Sequence, residues 1–149
     1  MTLEEFERLQ QIADKDAEMP DKMDKVAEKN MLLPSIIQKW TKLYSKQKFI
    51  VATLTVEQCE LYTTLFNAYK FPDKKNNPYN LDLNHFWGDK PKEIELQINA
   101  VPIYVAKCKE VNTQKYFLDF IEKTLANIKD LRFSIKNYID INQILTTNY

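Results

Sequence analysis

Glycine is almost missing from this chain: its 149 residues include one, Gly88, beside six prolines. Tight hairpins draw on glycine for positive φ, and backbone cradles for phosphate need it for close approach. An all-β fold and a phosphate-binding loop are therefore disfavoured. Neither GxxxxGK[ST] nor GxGxxG occurs, so nucleotide hydrolysis and dinucleotide chemistry lack their scaffolds. Histidine is as scarce. A single His85 removes most triads and zinc sites, and beside Phe86 and Trp87 it reads as a structural neighbour of the indole rather than a catalyst. Cys59 and Cys108 stand far apart with no CxxC, the pattern of two free, buried thiols in a reducing compartment. No apolar run approaches the ~20 residues of a membrane span, and the acidic N-terminus MTLEEFERLQQ has no signal-peptide core. The expectation is a soluble, intracellular, mainly α protein that is not an enzyme and holds no metal or cofactor.

Charge is balanced overall but not along the chain. Residues 1–28 carry nine acids against four bases, a balance of −5 that leaves +5 on residues 29–149. This reads as an acidic N-terminal arm, detachable or folded over, on a single mildly basic helical domain, or as a solvated amphipathic helix. Thr2 followed by Glu5 has the form of a capping box, and Leu3, Phe6, Leu9, Ile12 and Ala13 supply an apolar face behind it. The segment Asp16 to Asp24 contains Pro20 and no stripe, which marks a break. A second helix starts near Asp21 and meets Pro34, which either opens a new helix or kinks a continuing one.

From Ser35 to Tyr69 there is neither Gly nor Pro, and Leu33, Ile37, Trp40, Tyr44, Gln47, Val51 and Leu54 recur as in a heptad seam. A long helix follows, weakened locally by the β-branched run Ile50 to Thr55. Ile36, Leu43 and Ile50 widen the stripe, so the helix packs on more than one neighbour or belongs to an oligomer. Opposite the seam lie Lys39, Lys42 and Lys46, with Lys48 and Phe49 beside them. Lysines around an aromatic offer phosphate neutralisation and a stacking platform on one surface. Equally, lysines solubilise a helix and an aromatic meets another subunit.

Residues 71–91, rich in Pro, Asn and Asp, form a linker whose Phe86 and Trp87 dock on the core. Ile94, Leu96 and Ile98 alternate with polar residues, which allows a short strand over 93–98 or the start of a helix. Asn99 is placed to cap a helix from Val101, with Pro102 in its first turn, and the lysine-rich stretch Lys107 to Lys115 reads as solvated. Phe117, Ile121, Leu125, Ile128, Leu131, Ile135 and Ile139 then share one helical stripe. Lys129, Arg132 and Lys136 run along its edge with Phe133 on the outer side. The segment 101–145 is either one helix or a hairpin turning near Asn127 to Asp130. Asp119 and Glu122, at i, i+3 and with no nucleophile or metal cluster near in sequence, read as a solvated surface rather than a catalytic carboxylate pair.

Leu118-Asp119-Phe120, Leu125, Ile128-Lys129, Phe133, Ile135-Lys136 and Asp140 match, without a gap, the pattern of the phage UvsY family, the recombination, repair and single-stranded-DNA-binding mediators of T4-like phages. Lys39-Trp40 resembles that family's Lys-Trp or Lys-Tyr pair, and its distance to Tyr69 is similar. The resemblance covers about residues 30–140. It implies a mediator that helps a recombinase displace the phage's single-stranded-DNA-binding protein in the cytoplasm of an infected bacterium. It also implies a ring-like or open-barrel homo-oligomer, a heptamer, whose subunits complete each other's cores through Trp40, Tyr44, Phe117, Phe120, Ile135 and Ile139. One departure matters: the family's DNA-contacting Lys-Ala-Arg-Leu tract aligns with Thr63-Thr64-Leu65-Phe66. Single-stranded DNA must then bind at Lys39, Lys42, Lys46, Lys48 and Phe49 or at Lys129, Arg132, Phe133 and Lys136, or the chain relies more on protein partners.

Overall fold

The structure, a computed structural model, describes residues 1–72, 76–83, 88 and 90–148. They form four helices: α1 (Leu3–Ala17), α2 (Met23–Lys70), α3 (Pro91–Ile98) and α4 (Pro102–Thr147). Among the described residues there is no strand. His85, Phe86 and Trp87 lie outside them, and so does the expected docking of that pair.

Both ends of α1 are closed by polar contacts. The Thr2 hydroxyl accepts from the Glu5 N–H at 3.2 Å and the Glu5 carboxylate accepts from the Thr2 N–H at 2.7 Å, so two orphan donors are satisfied reciprocally. The hydrogen bond from the Thr2 backbone holds the Glu5 carboxyl below the usual range, helped by the positive N-terminus. At the other end Lys29 Nζ donates to the Lys15 carbonyl at 2.7 Å, placing a positive charge at the negative end of the helix dipole. Burial lowers the Lys29 ammonium's pKa, while Asp16 and Glu18 oppose that shift. Replacing Thr2 by alanine is expected to cost about 1 kcal/mol, measured as a lower urea midpoint with an unchanged slope.

Two expectations for α2 resolve in favour of a continuous helix. Pro34 lies inside it and is exposed, while Leu33 and Trp40 on either side are buried. The β-branched run also stays helical, with the Thr53 and Thr55 hydroxyls donating to the carbonyls of Phe49 and Val51 at 3.0 and 2.8 Å. Back-bonding to the preceding turn satisfies these hydroxyls without leaving the helix.

The chain divides into two compact units. In the first, residues 1–48 and 116–148, α1 lies along the body: Leu9 and Ala13 join Val26, Leu33, Trp40, Ile121, Leu125, Ile128, Leu131 and Ile135 in one core. Phe6 stacks on Phe117 at 4.4 Å between ring centroids and meets Phe120 edge-on at 5.0 Å. Each such side chain contributes about 1.5–3 kcal/mol of apolar burial, which seats the acidic helix firmly. In the second unit, residues 49–115, Leu61, Leu65, Tyr69, Ile94, Ile98 and Val101 form the core, and Leu81 and Leu83 pack against it. Asn77 brackets the linker there, accepting from Leu81 N–H and donating to its carbonyl, both at 2.8 Å.

Several readings are corrected. Residues 93–98 are helical: Pro91 starts α3, the Glu93 carboxylate accepts from Lys90 N–H at 3.2 Å, and Ile94 and Ile98 are buried one turn apart while Leu96 is 72% exposed. The alternation was an i, i+4 pair with an outward leucine between. Asn99 ends α3 instead of starting α4, its N–H bonded to the Glu95 carbonyl at 3.0 Å. Of the two alternatives for 101–145 the single helix is observed, because Ile128 and Leu131 keep the buried stripe in register through the suspected turn. Lys107 is not simply solvated: it pairs with Glu57 at 2.9 Å and Glu110 at 3.0 Å, and those hydrogen bonds raise its pKa. Nor are both thiols buried, since Cys59 is exposed and Cys108 half-buried. The Cys108 sulfur accepts from Gln58 Nε2 at 3.1 Å.

Candidate nucleic-acid interface

Helical geometry decides what each candidate cation faces. Along α4 the buried residues Ile128, Leu131 and Ile135 are each followed at once by a cation: Lys129, Arg132 and Lys136. A step of one residue turns about 100° around the axis, so the three cations line the flank of the buried seam. Phe133 sits two residues from both Leu131 and Ile135, about 200° round, and is 68% exposed. On α2 the same relation holds between buried Gln47 and Phe49, which is 73% exposed. Lys42 and Lys46 are also exposed. Among the described residues, none of Lys42, Lys46, Lys129, Arg132 and Lys136 makes an ion pair. A cation without a carboxylate partner is ready to neutralise phosphate.

Lys39 and Lys48 differ. Lys39 is paired with Asp16, and the same Asp16 oxygen accepts from Trp40 Nε1 at 2.8 Å. Lys48 places its ammonium 5.7 Å from the centroid of the Tyr44 ring, a cation–π distance. Asp16 is the residue that sequence reasoning missed. A buried indole N–H demands an acceptor, so Trp40 announced that one existed, but the partner lies 24 positions away.

The expected subunit-contact residues are placed differently as well. Trp40, Phe117 and Ile135 are 0%, 3% and 0% exposed within the chain itself, so its own core, not a partner's, covers them. Tyr44, Phe120 and Ile139 are half-buried against that core. Met31, Leu32, Ile141, Ile144 and Leu145 are among the apolar side chains that stay exposed.

The Thr63–Phe66 stretch offers no cation. The Thr63 and Thr64 hydroxyls bond to the carbonyls of Cys59 and Glu60, both at 3.0 Å. Leu65 is fully buried, and Phe66 stacks on Tyr62 at 6.3 Å. Among the described residues no three metal-ligating side chains converge, and no helix is long and apolar enough to cross a membrane. Asp119 and Glu122 are exposed on α4.

Two helices of 48 and 46 residues dominate the described residues and define an all-helical class of protein, with Phe133 standing among exposed cations of α4. The fold is that of the bacteriophage T4 recombination mediator protein UvsY. One crystal form of that protein superposes with a TM-score of 0.79 at 17% identity, covering 98% of each chain. A second gives 0.73 at 17% identity over 93% of this chain and 97% of that one, and a third 0.75 at 16% over 92% and 98%. No family model and no curated protein matches the sequence.

Proposed function

We propose that this chain is a non-enzymatic recombination mediator that binds single-stranded DNA and promotes loading of a phage recombinase in place of the single-stranded-DNA-binding protein. The observation that carries this reading is the Lys129, Arg132, Phe133, Lys136 ridge, exposed and without ion pairs among the described residues, on a chain 98% of which superposes on the UvsY fold. Phosphates pair with the cations, and Phe133 offers a face on which a base stacks. Lys42 and Lys46 offer a second cationic surface. The chain acts as a ring-like homo-oligomer in the cytoplasm of an infected bacterium, where repeated ridges make modest charge per subunit multivalent.

Titrating the intact protein into fluorescently labelled oligo(dT) at low and high salt tests the DNA contact. Affinity is expected to fall log-linearly with salt, with a slope of about −0.7 per phosphate neutralised. Absence of binding at low salt would remove DNA from the mechanism. That outcome would favour an oligomeric helical scaffold, a reading for which the cation-free Thr63–Phe66 stretch speaks.

A further inference from the structure

The acidic helix and the lysines of α2 are neighbours in the folded chain. Asp16, half-buried where α1 ends, holds two groups of α2 with one carboxylate: the Trp40 indole at 2.8 Å and the Lys39 ammonium. Lys29, about three turns before Trp40 on α2, is itself engaged with the Lys15 carbonyl at 2.7 Å. The arm cannot swing off cheaply, since Phe6, Leu9 and Ala13 are 4%, 7% and 5% exposed. Asp16 therefore stays on Lys39 as long as the first unit is folded.

We infer that α1 is a built-in competitor of nucleic acid on α2: Asp16 occupies Lys39 as an internal anion and withholds one cation of the Lys39, Lys42, Lys46 row from single-stranded DNA. This rests on the DNA contact proposed above and deepens it by naming what limits that surface. A phosphate reaching Lys39 must displace a carboxylate that the Trp40 indole also holds, so exchange costs two contacts. Among the described residues Lys42 and Lys46 make no ion pair and stay open. The arm tunes affinity rather than abolishing it. A weaker grip suits a protein that must hold a strand and then yield it.

The test uses the full-length protein and labelled oligo(dT). Asp16→Asn removes the charge while its amide oxygen still accepts from the indole, so the fold is kept, as circular dichroism checks. It is expected to bind about fivefold tighter at low salt, with a salt slope steeper by about 0.7, one added phosphate contact. Lys39→Ala in the Asp16→Asn background should erase both gains. Unchanged affinity and slope in Asp16→Asn, or a gain that survives Lys39→Ala, overturns the inference while leaving the mediator reading intact. Binding by neither parent nor variant overturns both. A second comparison does not depend on Asp16→Asn folding: Lys39→Met in the parent should cost less affinity than Lys42→Met, and equal losses would refute the withholding of Lys39.

Discussion

Replacing Lys129, Arg132 and Lys136 together by alanine is expected to weaken oligo(dT) binding about 100-fold at low salt and to flatten the salt slope by about 2, as three lost phosphate contacts require. Folding should be untouched, since all three side chains are exposed and none is in an ion pair. Surface substitutions of this kind stay within about 0.5 kcal/mol. Phe133→Ala separates stacking from charge: it should cost about 1–3 kcal/mol of binding while leaving the slope unchanged. If the triple variant binds like its parent, α4 carries no DNA and the Lys42 and Lys46 surface of α2 is left to explain any binding.

Trp40→Ala is expected to destabilise the first unit by about 3–5 kcal/mol, because a fully buried indole is removed and Asp16 loses a donor. Trp40→Phe keeps most of the volume and should cost about 1–3 kcal/mol, the loss of a hydrogen bond to a charged group. Urea unfolding at several protein concentrations distinguishes this from a subunit-interface role. A loss of core packing shifts the midpoint equally at every concentration, whereas loss of a subunit contact makes the shift depend on concentration. Ile135→Ala, by the same reasoning, should cost about 2–5 kcal/mol. Its neighbour Phe133, exposed on the same turn, should cost almost nothing in stability.

That contrast shows what periodicity can and cannot convey. With Leu131 and Ile135 on the buried stripe, Phe133 had to point outward, and the ridge of cations beside the seam was legible for the same reason. The identity of the cover was not legible. The α4 stripe is compatible with other subunits or with the chain's own helices, and the structure places Ile121, Leu125, Ile128, Leu131 and Ile135 in one core with Leu9 and Ala13 of α1. At 93–98 the two periods overlapped: Ile94, Leu96 and Ile98 satisfy a strand, while Ile94 and Ile98 alone satisfy a helix. Which applied depended on whether Leu96 met a partner, and it does not.

Local chemistry therefore settled the helical class from the sequence alone. One glycine in 149 residues and long Gly- and Pro-free runs leave few places to turn, and the Thr2 and Glu5 pair places the start of α1 within one residue. These signals act over three or four positions, the reach of a helical turn. Contacts across 24 positions were decided only by folding. Asp16 meets Trp40 and Lys39 because α1 docks along α2, and nothing in the spacing of an acid and a lysine predicts that they will pair. The tertiary structure thus turned one of the exposed-looking cations into an internal partner and moved Trp40, Phe117 and Ile135, three of the expected subunit contacts, into the core. The cation–aromatic ridge of α4 remains as the surface that a polyanion can reach.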